Sequence, residues 1–241
     1  MTESPRAPAP AGASKDVPVA FQDPSYLAAV VDLLGVIAYG EMSAFERLAE
    51  DAKMSPTLQD RTELARMAAT EFGHFDRLRE RLVELGADPF EAMAPFAKAF
   101  DAFHARTAPS DWLEGLVKAY VGDGLAADFY REIAAFLDAG TRDLIIESLA
   151  DAGQSQFVVD RVRRAIEQDP RVGGRLALWG RRLMGEALSQ AQRVAAERDA
   201  LSALLSGGVD RPGMDLAAIG RLFTRLTENH SARMEKLGLA A

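Results

Sequence analysis

Cysteine is absent from all 241 residues, which removes disulfides and thiolate metal sites together and leaves the redox compartment unmarked. Aromatics are scarce as well, at 7% against 48% hydrophobic residues, and the abundance of Ala, Leu, Glu and Arg suits a helix-rich protein. No stretch approaches 18 uninterrupted apolar residues, so no membrane span is expected. The opening MTESPRAPAPAGASKD lacks the apolar centre of a secretory signal and reads as a disordered arm over 1–23, which makes the cytoplasm the expected compartment. Basic residues are outnumbered, 28 against 36, and the net charge of −8 disfavours phosphate backbones.

What is present is helical spacing. From Pro24 onward apolar residues recur with helical period and no run alternates with period two, which predicts an all-α chain. A first helix spans 25–53 and a second 56–86, with Ser55 as cap, Pro56 at the start and Gly86 at the stop. A connection over 87–110 contains FEAMAPFAKAFDAFHA, which can form a helix of its own and is long enough to cross a bundle from end to end. Ser110 and Asp111 open a third helix over 111–138, and a fourth follows over 141–168. Two antiparallel hairpins joined by one long crossover is the ferritin-like four-helix bundle. Helices over 174–206 and 214–237 add a C-terminal hairpin, so 24–241 reads as one domain with its core bundle in 25–168.

Acids occupy the middle of the four apolar stripes. Glu41 lies with Leu34, Ile37, Phe45 and Leu48, whereas Glu46 points about 140° away. Glu71 and His74, roughly 60° apart, share the face of Met67, Phe75 and Leu78. On the third helix Asp123 groups with Leu116, Tyr120 and Ala127, with Asp128 as the alternative, and on the fourth Asp151 groups with Leu144 and Val158, followed by Gln154. Counted from the turns of the two hairpins the four acids come to one level, about 21 Å in. Buried carboxylates need compensation, and two divalent cations balance four of them. Glu41, Glu71, His74, Asp123, Asp151 and Gln154 are therefore the candidate ligands of a dinuclear iron or manganese site, two ions per chain. The other expectations are more modest. His104 reads as amphipathic surface, His230 as core or boundary, Tyr39, Tyr120 and Tyr130 as packing, and Glu186 with Gln190 as cavity-lining or ion-paired.

The stretches AYGEMSAFERLAEDA, MAATEFGHFDRL, AYVGDGLAADFYREI and LADAGQSQFVVDRV resemble the ferritin-like superfamily and, within it, the tRNA methylthio-isopentenyl-adenosine hydroxylase-like group, over about residues 25–168. That resemblance implies a non-haem di-iron site that activates dioxygen for a hydroxylation, and a modified tRNA as partner. By position it assigns the first-helix Glu to Glu41, the second-helix Glu-x-x-His to Glu71 and His74, the third-helix acid to Asp123 and the fourth-helix Glu-x-x-His to Asp151 and Gln154. Asp stands for Glu at 123 and 151, and Gln154 for a histidine, so one metal position is expected to be weak or empty. Two functions follow: an oxygen- or peroxide-dependent oxidase or hydroxylase, or a metal-free bundle that keeps the fold as a binding or scaffold protein. Either is compatible with a homo-oligomer.

Overall fold

The computed structural model describes residues 19–149, 154–206 and 214–240. They form ten α-helices: α1 (Pro24–Asp51), α2 (Leu58–Glu84), α3 (Pro89–Met93), α4 (Ala97–Arg106), α5 (Trp112–Ala134), α6 (Ala139–Ser148), α7 (Gln154–Gln168), α8 (Arg171–Glu197), α9 (Asp199–Ser206) and α10 (Leu216–Lys236). No strand occurs among the described residues, as the periodicity requires.

Side-chain caps set most of the starts, by giving acceptors to the orphan N–H groups of a first turn. Asp23 accepts from Ser25 at 2.8 Å to open α1, and Asp111 accepts from Glu114 at 2.9 Å to open α5. The cap of α2 is Thr57, whose Oγ1 accepts from the Asp60 amide at 3.1 Å, so neither Ser55 nor Pro56 begins that helix. Past its C-terminus Gly86 takes φ +78°, the left-handed value that glycine adopts without strain.

Three helices depart from the expected bounds. The third stops at Ala134 because Asp138 is claimed as the cap of α6, held there by Tyr26, whose hydroxyl accepts from the Asp138 amide at 2.7 Å and donates to its carboxylate at 2.9 Å. The fourth is divided into α6 and α7, on either side of residues outside the described set. The fifth breaks at Arg198 (φ −125°, ψ 89°), whose guanidinium is drawn to Asp32 on α1 by two bonds of 3.0 and 2.5 Å.

The hydrophobic interior forms two principal clusters that share α1 and α2. One packs Val30, Leu34 and Ile37 against Leu78, Leu82, Phe96 and Ile145. The other packs Leu48 and Leu64 against Leu116, Val121, Val158, Leu176, Leu183 and Met234. Gly35 lets α3 lie directly on α1, since a Cβ there would come within 2.3 Å of the Ala92 carbonyl oxygen. Trp179 ties α8 to α5 by donating to the Glu114 carbonyl at 2.9 Å, and Arg161 ties α7 to α2 through Asp60 at 2.6 Å. By length and composition alone one segment among the described residues, Pro24–Met54, could cross a membrane, but 56% of its apolar window is buried inside the molecule. Glu41 sits on α1 where the two clusters meet.

Candidate metal centre

Glu41 on α1 faces Glu71 and His74 on α2 because the two long helices run antiparallel from the turn at 52–57, and both acids lie about 15 residues from it. The imidazole Nδ1 of His74 is 3.4 Å from Glu41 Oε2 and 3.6 Å from Glu71 Oε2. One ligand atom from each of the three lies within 4.8 Å of the others. All three residues are buried, with 7–9% of their surface exposed.

Burial raises the Glu71 carboxyl well above its ordinary range, and nearby Glu41 raises it further, while His74 acts in the opposite sense. The His74 imidazole is pushed up because both carboxylates accept from it, which outweighs the burial that would lower it. A proton on His74 thus supplies the positive charge between two buried carboxylates. A divalent cation satisfies the same demand more fully, and two carboxylates with one imidazole are a donor set that suits iron or manganese. The three groups fit one such ion.

The remaining candidates are placed differently. Asp123 is exposed, not interior, though it lines the same cavity as the cluster. The face of α5 that buries Leu116 in the core opens by position 123 onto that cavity, flanked by Gly122 and Gly124. Asp128, the alternative, is taken by Arg233 at 2.5 Å and Arg131 at 3.6 Å. Asp151 lies outside the described residues, as does the side chain of Gln154, the first residue of α7.

A cavity of about 610 Å³ adjoins the cluster, walled mainly by apolar side chains from α1, α4, α5 and α8, including Ile37, Phe100, Leu125 and Val194. Three residues on it carry more than the sequence reading gave them. Tyr130 is buried, and its hydroxyl comes within 3.7 Å of the place a Cβ would take on Gly40, the residue before Glu41. Burial and then the charge of Glu41 push its phenol up, so it stays protonated. His104 is half-buried, where amphipathic surface was expected. Its Nε2 lies 2.6 Å from Ser43 Oγ, and burial, with Lys118 and Arg47 nearby, pushes the imidazole down to about 3. Lys118 is also buried and donates to the Thr107 carbonyl at 2.8 Å; burial pulls it down to about 8, while Asp51 is pushed up to about 6 by its own burial. A lysine inside the LVKAY stripe was the available signal. Glu186 pairs with Arg106 at 3.3 Å, a partner on α4 rather than the neighbouring arginines of its own helix.

An all-helical bundle with two buried carboxylates and an imidazole on its central hairpin defines a ferritin-like protein. The chain belongs to the family of ferritin-like domains of actinomycetes, whose model matches residues 24–208. It is similar in structure to a solved chain described as protein 19 with aldehyde deformylating oxidase activity from Synechococcus. The TM-score is 0.68 and the identity 19%, over 92% of this chain and 94% of that one. At that identity the likeness is one of fold. No curated protein matches the sequence.

Proposed function

We propose that the protein is a metal-dependent oxidase or hydroxylase that uses dioxygen or peroxide and acts on an apolar small molecule. The observation that carries this reading is the convergence of Glu41, Glu71 and His74 within 4.8 Å, buried, on the wall of an apolar cavity. These three residues would hold the first ion. Asp123, Asp151 and Gln154 are assigned to a second position, weaker because Gln154 offers an amide oxygen in place of an imidazole. When bound, iron or manganese supplies the redox capacity and Lewis acidity that such oxidations need.

The chain's own residues do the rest. Apolar walls such as Ile37 and Leu125 keep water from the reacting region, which strengthens every electrostatic contact there. Tyr130 retains its proton beside Glu41, so it serves as a hydrogen-bond donor and not as a base. His74 must surrender the proton that joins the carboxylates before its nitrogen can become a ligand, which couples occupancy to pH.

The transfer RNA of the resembled hydroxylases is a poorer substrate for this reading than an apolar small molecule. The net charge is −8, and the aldehyde named in the deformylating activity of the structural neighbour is closer to what an apolar cavity can hold. The cytoplasm is the proposed compartment. Metal analysis of protein produced with ample iron and manganese tests the function. We expect up to two ions per chain, with Glu71→Ala removing at least one. Protein without metal, and with a metal content unaltered by Glu71→Ala, would overturn the enzyme reading in favour of a metal-free binding bundle.

A further inference from the structure

Lys118 is a buried amine that the metal centre does not use. It is 7% exposed, lines the cavity from the first half of α5, and makes no ion pair among the described residues. Lysine is almost never buried without an acid to pair with, so its placement here costs stability. Its Nζ is fixed from two sides. It donates to the Thr107 carbonyl at 2.8 Å, just past the end of α4, and lies 5.5 Å from the centroid of the Phe103 ring, itself a wall of the cavity. A carbonyl accepts an N–H, and in the neutral amine this leaves a lone pair that the carbonyl cannot use.

Asp51 lies beside it. It ends α1, lines the same cavity, is 8% exposed, and makes neither a hydrogen bond nor an ion pair among the described residues. Its carboxylate packs on α5 where a glycine leaves room: a Cβ on Gly115 would come within 3.0 Å of Asp51 Oδ2. Gly115 is one turn before Lys118 on the same face, and each of the two charges favours the other. Arg47 also lines the cavity, but Glu50 holds it at 2.8 Å. Burial works against both members of the pair, drawing Lys118 toward the amine and Asp51 toward the acid. Asp51 follows Glu41 by ten residues, about 15 Å along α1, so the pair is separate from the metal centre.

We propose that Lys118 is a nucleophile that captures apolar aldehydes as an imine within the cavity, with Asp51 as proton donor. This activity goes beyond the oxidase reading and needs no metal. The amine lone pair adds to the carbonyl carbon, forming a C–N bond and opening the C=O double bond, and one N–H proton moves to the oxygen. The Asp51 carboxylic acid then protonates that hydroxyl, the C–O bond breaks and water leaves. The protonated imine keeps an N–H for the Thr107 carbonyl and has the Asp51 carboxylate as counter-ion. Amine, aldehyde and acid thus give iminium, water and carboxylate, with nothing oxidised or reduced. A carboxylate is a poorer occupant because it meets Asp51 as well as Lys118, whereas an aldehyde brings no charge to desolvate. Its tail suits apolar walls such as Leu48 and Phe103, and a cavity of about 610 Å³ is ample for it.

The test uses full-length protein treated with chelator and incubated at neutral pH with octanal and cyanoborohydride, which reduces an imine to a stable secondary amine. Peptide mass spectrometry then gives the rate at each lysine. Octanal is expected to alkylate Lys118 at least tenfold faster than the exposed Lys98, whereas glyceraldehyde, a polar aldehyde, shows no such preference. Excess octane is expected to slow the reaction at Lys118 and not at Lys98. Asp51→Asn is expected to slow Lys118 at least fivefold and leave Lys98 unchanged. The other measurements use unsubstituted protein, so they hold even if that variant folds poorly. Lys118 labelled no faster than Lys98, a preference shared by glyceraldehyde, or labelling indifferent to octane overturns the proposal, and an Asp51→Asn protein that reacts at the parental rate overturns the role given to Asp51. Fast capture at Lys118 by a protein that takes up no metal would leave this site standing and overturn the oxidase reading; metal uptake without capture would do the reverse.

Discussion

Glu71→Gln moves the metal-free and the metal-loaded protein in opposite directions, which is what a ligand role demands and a purely structural role does not. Without metal, Glu71 is pushed up to about 7 from an ordinary 4.5, chiefly by burial, and His74 up to about 9 from 6.5, chiefly by Glu41. A group whose folded value is raised contributes its stability in full below the unfolded value and loses it as pH rises through the folded one. Glu71 therefore loses its contribution between about 4.5 and 7, His74 between about 6.5 and 9, and both slopes run the same way. At about 1.4 kcal/mol per unit, the Glu71 share comes to about 3 kcal/mol. Glutamine does not ionise, so Glu71→Gln should match the parent near pH 5 and exceed it by up to about 3 kcal/mol at pH 8, or roughly 6–12 °C in Tm for a chain of this size. With manganese at about a hundred times its Kd the parent should gain about 2.7 kcal/mol, increasing with pH as the ligands deprotonate, whereas the variant gains little. Thermal unfolding followed by circular dichroism at pH 5, 6.5 and 8, with chelator or with manganese, reads all of this. A variant less stable than the parent at pH 8 in chelator, or equally stabilised by manganese, would refute the reasoning.

Other substitutions probe the scaffold that holds the centre. Gly35→Ala should destabilise by about 1–3 kcal/mol or more in urea unfolding, because the new Cβ meets the backbone of Ala92 at 2.3 Å and that backbone has no room to yield. Gly185→Ala in α8, with nothing within 4 Å, should instead add about 0.5–1 kcal/mol. Tyr26→Phe should cost about 1–3 kcal/mol at neutral pH, since its hydroxyl serves both the amide and the carboxylate of Asp138. Burial alone would raise the Asp138 carboxyl, but bonds from Thr141 and Tyr26 hold it below its ordinary value. The stability it contributes is present at neutral pH and lost as pH falls through that depressed value, so the cost of Tyr26→Phe should shrink in acid.

The first hairpin was legible because its two helices are long, strongly patterned and joined by a short break. Spacing alone sufficed to put Glu41 opposite Glu71 and His74. Asp123 failed the same test for a physical reason: a stripe reports which side a residue faces, not whether another element covers it there. Leu116 and Asp123 lie about 20° apart on α5, yet the first is wholly buried and the second is exposed beside the cavity. The division of the expected fourth helix and the break at Arg198 were illegible for a related reason. Asp32, which draws Arg198 toward α1, is 166 positions away, and no local pattern announces such a partner. Lys118 and His104 could have been questioned from the sequence, since each interrupts an apolar stripe, but their pairing with Thr107 and Ser43 depends on how α4 lies over the hairpin.

These misses and successes bear on the choice between an enzyme and a scaffold. A bundle kept only for its shape gains from replacing buried carboxylates and open donors by apolar groups, because each is desolvated at a cost that packing would not carry. This chain retains such groups on the wall of one cavity: Glu41, Glu71 and His74 between α1 and α2. A metal would answer their demand for positive charge, and the apolar walls beside them suit the apolar substrate of the proposed function. Stability surrendered at the wall of an apolar cavity is what the proposed metal site would require, and a scaffold would not.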